Sequence, residues 1–306
     1  MKNSFTITVH EIRSLFQEKT FLLLLVVFVI MTLASTFISW SSQNTIKQVY
    51  NVAAEQMRQN GKVAPPSPFT NFPHLDLVKN MIIYVILIGG LLAIDMGYAS
   101  GMRERKAGVV KLLFSRPIGR VEFLLGKLLG VSFVLAAIIF LAAIINVVSS
   151  TALVSLTVQD IINLFSFYGI SLIYLLGFAF LGLSFALVKE NEVVALLIPV
   201  IIWVAITFVL PELTSTLYPT GLLNPTLPIV NIPQSSTLQI MHDAVYPFSI
   251  SEYYKLSAAT ILNINTDETV TANQPGIYYG STIFIFMLLC LGASAAAIYS
   301  FDKSKW

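Results

Sequence analysis

Along this chain the apolar residues gather in long uncharged runs, separated by shorter polar stretches. The runs cover residues 21–40, 80–100 (broken once by Asp95), about 128–154, about 161–188, 193–210 and about 277–301. A hydrocarbon core about 30 Å thick takes roughly 20 apolar residues of helix to cross. Lipid offers no water to backbone N–H and C=O groups, so each crossing segment must satisfy its own. The pattern therefore predicts six transmembrane helices. A β-barrel would alternate apolar and polar positions over strands of about ten residues, and the run from Phe21 to Ile30 has no alternation. The first run is too long for the apolar part of a leader, follows polar-containing chain and is succeeded by more spans, so it is read as a span.

The polar stretches have patterns of their own. Phe5, Val9, Ile12 and Phe16 recur at helical spacing, with His10, Glu11, Arg13, Ser14 and Gln17 on the other side. This predicts an amphipathic helix in the membrane interface ahead of the first span. The loop 41–79 starts with a helical stripe, Ile46, Val49, Ala53 and Met57, and breaks at Gly61 and at Pro65-Pro66-Ser67-Pro68. The loop 211–276 is uncharged from Leu213 to Met241 yet carries Pro219, Pro225, Pro228 and Pro233. It is too broken to span and too apolar to lie free in water. Two readings fit: a segment re-entering the membrane against the bundle, or a compact cap with its own small core. Ser249 or Ser251 is placed to cap a short helix through Tyr253, Tyr254, Leu256 and Leu262.

Composition agrees with the pattern. The chain has 306 residues, of which 56% are hydrophobic and 11% charged, against about 25% charged in soluble domains. Its mean hydropathy is +0.79. One cysteine, Cys290, excludes a disulfide-stapled scaffold, and it reads as a packing residue among Leu288, Leu289 and Leu291. The net charge of +2 is too small to imply a nucleic-acid partner.

The distribution of charge says more than its sum. Thirteen of the 18 basic residues fall in the amino-terminal arm, the loop between spans two and three, the short turn at Lys189 and the carboxy-terminal tail. Cytoplasmic loops carry the excess of Lys and Arg, so both termini are expected in the cytoplasm of a multi-pass protein of the cell (inner or plasma) membrane. Residues 1–306 are read as a single transmembrane domain, with outer loops 41–79 and 211–276 and an inner loop 101–127.

That inner loop carries the chemistry. Val109, Leu112 and Leu113 form one apolar face of a short helix, with Lys111 pointing elsewhere. Pro117 disfavours helix at Arg116, Gly119 permits a turn, and a second helix starts near Arg120 and runs on into the third span. A short helix with a greasy face, held beneath the membrane between two spans, is a docking knob for a soluble partner. A helix-in-groove contact is its natural mode of recognition.

The stretch resembles the coupling region of the ABC type-2 permease family, the membrane subunits of ATP-binding-cassette exporters. The family's pattern is matched by Glu104, Gly108, Leu112-Leu113, Ser115, Pro117, Arg120 and Lys127; Val109 departs from it, standing where Thr or Ser is usual. Six spans, inner termini, an amphipathic first helix and a long loop between spans five and six extend the likeness over essentially the whole chain. The branch with the permease of the nitrous-oxide-reductase maturation exporter looks nearest, partly through Asp95 in an Ile-Asp-Met-Gly context.

The resemblance implies an all-α polytopic permease that forms a substrate pathway with a second permease chain, as a homodimer or with a paralogue. It also implies a separate ATPase subunit that docks on Glu104, Gly108, Val109, Leu112, Leu113, Ser115, Arg116, Pro117 and Arg120. ATP and Mg would be bound by that partner, and no cofactor or metal by this chain. A P-loop needs Gly, four residues, Gly-Lys and then Ser or Thr; around Gly126-Lys127 the other positions hold Val121 and Leu128. The outer loops offer a place for an extracytoplasmic accessory protein.

Other features have plainer readings. Asp95 is the one ionisable residue well inside a predicted span, which marks it for function; near the inner end it is also within reach of Arg103 or Arg105 as a structural anchor. Gly97 with Gly101, and Gly126 with Gly130, are small-xxx-small pairs suited to close helix packing. Lys189-Glu190-Asn191-Glu192 reads as a tight inner turn. His10, His74 and His242 are scattered, which argues against a shared metal site. Tyr246, Tyr253 and Tyr254 fit an aromatic belt at the outer interface. A secondary transporter would show paired acids or a basic relay at mid-membrane and often two related halves. An intramembrane hydrolase would show a nucleophile and base, or His-Glu-x-x-His, within the spans. Neither pattern is present. A non-transporting anchor or mechanotransmission subunit would use the same docking knob.

Overall fold

The structure, a computed structural model, describes residues 2–63, 74–106, 119–210, 248–263 and 277–299. Among the described residues it is all helical, with no strand. Six helices among the described residues are long and apolar enough to cross a membrane: Lys19–Gln59, His74–Arg103, Val121–Leu153, Val158–Val188, Glu192–Val209 and Gly280–Ala297.

The chain opens with α1 (Lys2–Leu15) and turns into α2 (Lys19–Gln59). At about 1.5 Å per residue, α2 is roughly 60 Å long, about twice what a hydrocarbon core requires. The stripe of Ile46, Val49 and Met57 is thus a continuation of the first span, and it is exposed. Gly61 ends the helix. Its φ of 71° is left-handed, and the amides of Gly61 and Lys62 reach back to the carbonyls of Arg58 and Met57 at 3.0 and 2.8 Å. That is the Schellman pattern, which satisfies carbonyls the helix leaves open.

The second span is one rod in four pieces: a 3-10 turn His74–Val78, α3 (Lys79–Tyr84), a π turn Val85–Gly89 and α4 (Gly90–Lys106). Next come α5 (Arg120–Leu153) and α6 (Val158–Val188). Helix α6 starts in a capping box, with Thr157 and Asp160 each serving the other's backbone N–H. The fifth span is α7 (Glu192–Val204), capped by the Asn191 side chain and extended by a second π turn, Ala205–Val209. A short α8 (Ile250–Ile261) and the last span, α9 (Ile277–Tyr299), complete the bundle.

Helix α6 is the hub, packed by α4, α5, α7 and α9. The most apolar window of α6 is 72% buried, against 28% for α2 and 22% for each of α7 and α9. Phe167, Tyr174 and Phe178 of α6 meet Phe28 of α2 and Leu135 of α5 in one core. The outward faces of α2, α7 and α9 stay apolar, as Leu23, Leu197, Ile201 and Leu289 show. A helix apolar all round belongs in lipid or against another helix.

Two expectations change at this level. Glu11 does not share the surroundings of the polar side to which it was assigned: it is 1% exposed, whereas His10, Arg13 and Gln17 of that side are exposed, as are Phe5, Val9 and Phe16. The α1 face that packs on the bundle is Thr8, Glu11 and Leu15, which touch α5 and its neighbours. Tyr254 does not belong to an interfacial belt either. It is fully buried, stacked on Tyr174 with ring centroids 4.6 Å apart and bonded to the Ser171 hydroxyl at 2.7 Å. Tyr246 lies outside the described residues.

Candidate functional site

Helix α4 leads into residues 107–118 and α5 leads out of them, so the ends of these helices fix what the loop between spans two and three can do. Glu104 lies in the last turn of α4 and Arg120 opens α5. Gly108, Val109, Leu112, Leu113, Ser115, Arg116 and Pro117 lie outside the described residues.

The two helix ends meet in a cluster of charge. The Arg103 guanidinium donates to Glu11 Oε1 at 3.1 Å, and its Nε lies 3.7 Å from Glu18 Oε1. Lys127 is fully buried; its ammonium donates to Glu11 Oε2 at 3.4 Å and to the carbonyl oxygen of Ser100. It also stands 5.2 Å from the centre of the Phe123 ring, where a cation gains from the ring's quadrupole. One carboxylate of α1 thereby joins α4 and α5. The seat for it is cut into α5: a Cβ on Gly130 would lie 2.7 Å from the Glu11 Cβ, and Thr8 donates to the Gly126 carbonyl at 3.2 Å. Sequence reading gave Lys127 a place in the family pattern and Glu11 a place in water. The available signal was the lysine itself, since a cation at the foot of an apolar span needs a counter-charge.

Asp95 takes no part in that pairing. Arg103 is turned to Glu11 and Glu18 instead, and Asp95 Oδ2 is buried with no hydrogen-bond partner among the described residues. The helix bearing it is held tightly. A Cβ on Gly97 would overlap the Ala179 carbonyl oxygen, one on Gly101 would lie 2.5 Å from the Ala186 Cβ, and one on Gly182 would lie 2.5 Å from the Ile94 carbonyl oxygen. Backbone contacts backbone across α4 and α6, so these helices form one rigid pair.

A second polar layer lies deeper. Helix α8 turns Ser251 toward the Tyr174 hydroxyl at 3.0 Å and the Thr207 hydroxyl at 3.2 Å. Glu252 and Lys255 pair at 2.6 Å, 4% and 5% exposed. Ser249 is the N-cap residue of α8, with no side-chain capping bond. Tyr174 is near the midpoint of α6, about 24 Å along its axis from Val158 at about 1.5 Å per residue. A third layer ties α2, α5 and α6: Thr36 donates to Asn146 Oδ1 at 2.8 Å, and the Asn146 amide donates to the Tyr168 hydroxyl. At the end of the bundle opposite Arg103, Lys79 pairs with Asp76 at 3.0 Å and His74 with Asp160 at 3.1 Å.

Six long apolar helices, outward apolar faces and polar contacts kept between helices define an all-helical, multi-pass membrane protein. The sequence model for ABC-2 family transporter proteins matches residues 5–306. The chain belongs to that family and is a permease component of an ABC transporter, a membrane transport subunit. Comparison with curated proteins gives no match.

Proposed function

We propose that this chain is the permease subunit of an ABC exporter, works as a pair of permease chains, and is driven by a separate ATPase that docks on residues 104–120. Family membership and one arrangement support the reading: α4 and α5, which bracket the loop with the coupling pattern, are gathered on the same end of the bundle by Glu11, Arg103 and Lys127. The greasy face of Val109, Leu112 and Leu113 enters a groove of the ATPase, with Glu104, Gly108, Ser115, Arg116, Pro117 and Arg120 shaping its ends. ATP and Mg are held by that partner. Closure of two ATPase copies on nucleotide pushes the loop, and the rigid α4–α6 pair carries the push into the bundle.

The excess of basic residues sets this end in the cytoplasm, along with both termini. Helix α1 then lies at the inner interface with Phe5, Val9 and Phe16 toward the acyl chains. Helix α8 dips from the outer side into the bundle, and the second permease chain covers an outward apolar face.

The test is replacement of Leu112 and Leu113 by Asp in the complex with its ATPase. The variant inserts normally, while ATP turnover no longer responds to the permease and less ATPase co-purifies. Unchanged co-purification together with unchanged coupled turnover would overturn the docking assignment.

A further inference from the structure

Residues 107–118 enter from Lys106 and leave through Gly119, and both approaches are tied to the same carboxylate. Glu11 spends one oxygen on Arg103, three residues before Lys106, and the other on Lys127, eight residues after Gly119. Lys127 adds a direct bridge to α4 through the Ser100 carbonyl. None of this is a surface pair: the Glu11 and Lys127 side chains are 1% and 0% exposed. Gly130 keeps α5 bare where Glu11 comes in.

A buried ion pair is a weak means of stabilising a fold, because desolvation offsets much of the attraction; its better-attested use is to fix geometry. Moving α4 against α5, or either against α1, pulls a charge from its buried partner. Apolar contacts alone would let the same surfaces slide, since dispersion is non-directional.

We propose that Glu11 is a positioning residue for coupling: it sets the spacing of the two chain ends that flank residues 107–118 and makes the amino-terminal helix part of the path along which force travels. The proposal rests on the reading of that loop as the ATPase-docking element. It goes beyond that reading in giving α1 a transmitting role through one side chain. Glu18 is the weaker member, at 3.7 Å from Arg103 and 45% exposed.

The experiment uses full-length protein in nanodiscs with Cys290→Ala, spin labels on Lys106→Cys and Gly119→Cys, and pulsed dipolar spectroscopy of the distance between them. Glu11→Gln keeps the shape and removes the charge; Lys127→Met removes the opposite partner; Glu55→Gln on the exposed part of α2 is the control. A narrow distance distribution is expected in the parent and the control. In Glu11→Gln and Lys127→Met it broadens or shifts, and ATP turnover coupled to the permease in the ATPase complex falls roughly tenfold. Thermal midpoints are read in parallel. An unchanged distribution in both variants overturns the proposal, as does a lower midpoint with an unchanged distribution in the folded fraction, which would make Glu11 a stability residue. A shifted distribution with fully coupled turnover overturns the transmitting role. If the distance shifts but turnover in the parent complex ignores Leu112→Asp with Leu113→Asp, the docking reading fails while the positioning by Glu11 stands.

Discussion

The indole N–H of Trp203 donates to the Ile86 carbonyl at 3.2 Å, and in doing so joins the two π turns of the protein's described residues. Ile86 lies within Val85–Gly89, and Trp203 stands just ahead of Ala205–Val209. Single π turns inside α-helices mark places where a rod changes course, often at functional positions. Gly90 follows the first turn because a Cβ there would lie 2.5 Å from Trp203 Nε1.

The contact yields a coupled pair of effects. Trp203→Phe removes one buried hydrogen bond, about 1 kcal/mol, and Gly90→Ala overpacks the same spot, about 1–3 kcal/mol. Because both changes act at one contact, the double variant should lose less stability than the sum of the two. Thermal midpoints in one detergent measure this, and simple additivity would show that Trp203 and Gly90 do not meet.

Gly97 gives a sharper contrast. Any side chain there drives into the α6 backbone at Ala179, which has no flexible end to swing aside. Gly97→Val is expected to abolish a monodisperse folded protein, while Gly292→Ala, with nothing within 4 Å of its new carbon, leaves yield and midpoint unchanged. Size-exclusion profiles after solubilisation decide it; a well-behaved Gly97→Val protein would mean that α4 and α6 lie further apart.

The helices themselves were legible in the sequence because lipid permits so few solutions: an uncharged run of about 20 residues has to be helix. The interior partnerships were not. The stripe of Phe5, Val9 and Phe16 assigned those residues to the membrane, and they stand exposed on the side of α1 turned away from the bundle. Glu11 went with the polar side because nothing local points to its partners Arg103 and Lys127, 92 and 116 positions away. Tyr254 was placed in an aromatic belt because loop 211–276 looks external from its neighbours, yet it is buried and α8 packs on Ser171, Tyr174 and Thr207. Such pairings join residues 83, 77 and 44 positions apart, and local periodicity carries no information at that range. The residues from Gly108 to Pro117, proposed for docking, rest on a sequence pattern alone and lie outside the described residues.

The buried pair in α8 separates two kinds of contribution. Glu252 and Lys255 are neighbours on one helix, 2.6 Å apart and almost fully enclosed. Removing one leaves an uncompensated charge, so Glu252→Gln or Lys255→Met alone should cost about 3–5 kcal/mol. Replacing both by apolar residues of similar volume should cost much less. A double-mutant cycle on thermal stability reads the difference, and two small single effects would place the pair in contact with water.

Sidedness of the bundle can be read with one reagent. Cys290 is the sole cysteine of the chain and is 5% exposed, so its background reaction with a maleimide is small. Gly119 is exposed, sits next to the inner loop and has room for a side chain, the nearest atom being 3.9 Å away. Lys62 is exposed just past the far end of α2. With the basic end in the cytoplasm, a membrane-impermeant maleimide added to intact cells labels Lys62→Cys and spares Gly119→Cys until the membrane is opened. The reverse pattern would invert the protein, place residues 104–120 beyond the reach of any cytoplasmic ATPase, and remove the basis for reading Glu11 as part of a path from that enzyme into the bundle.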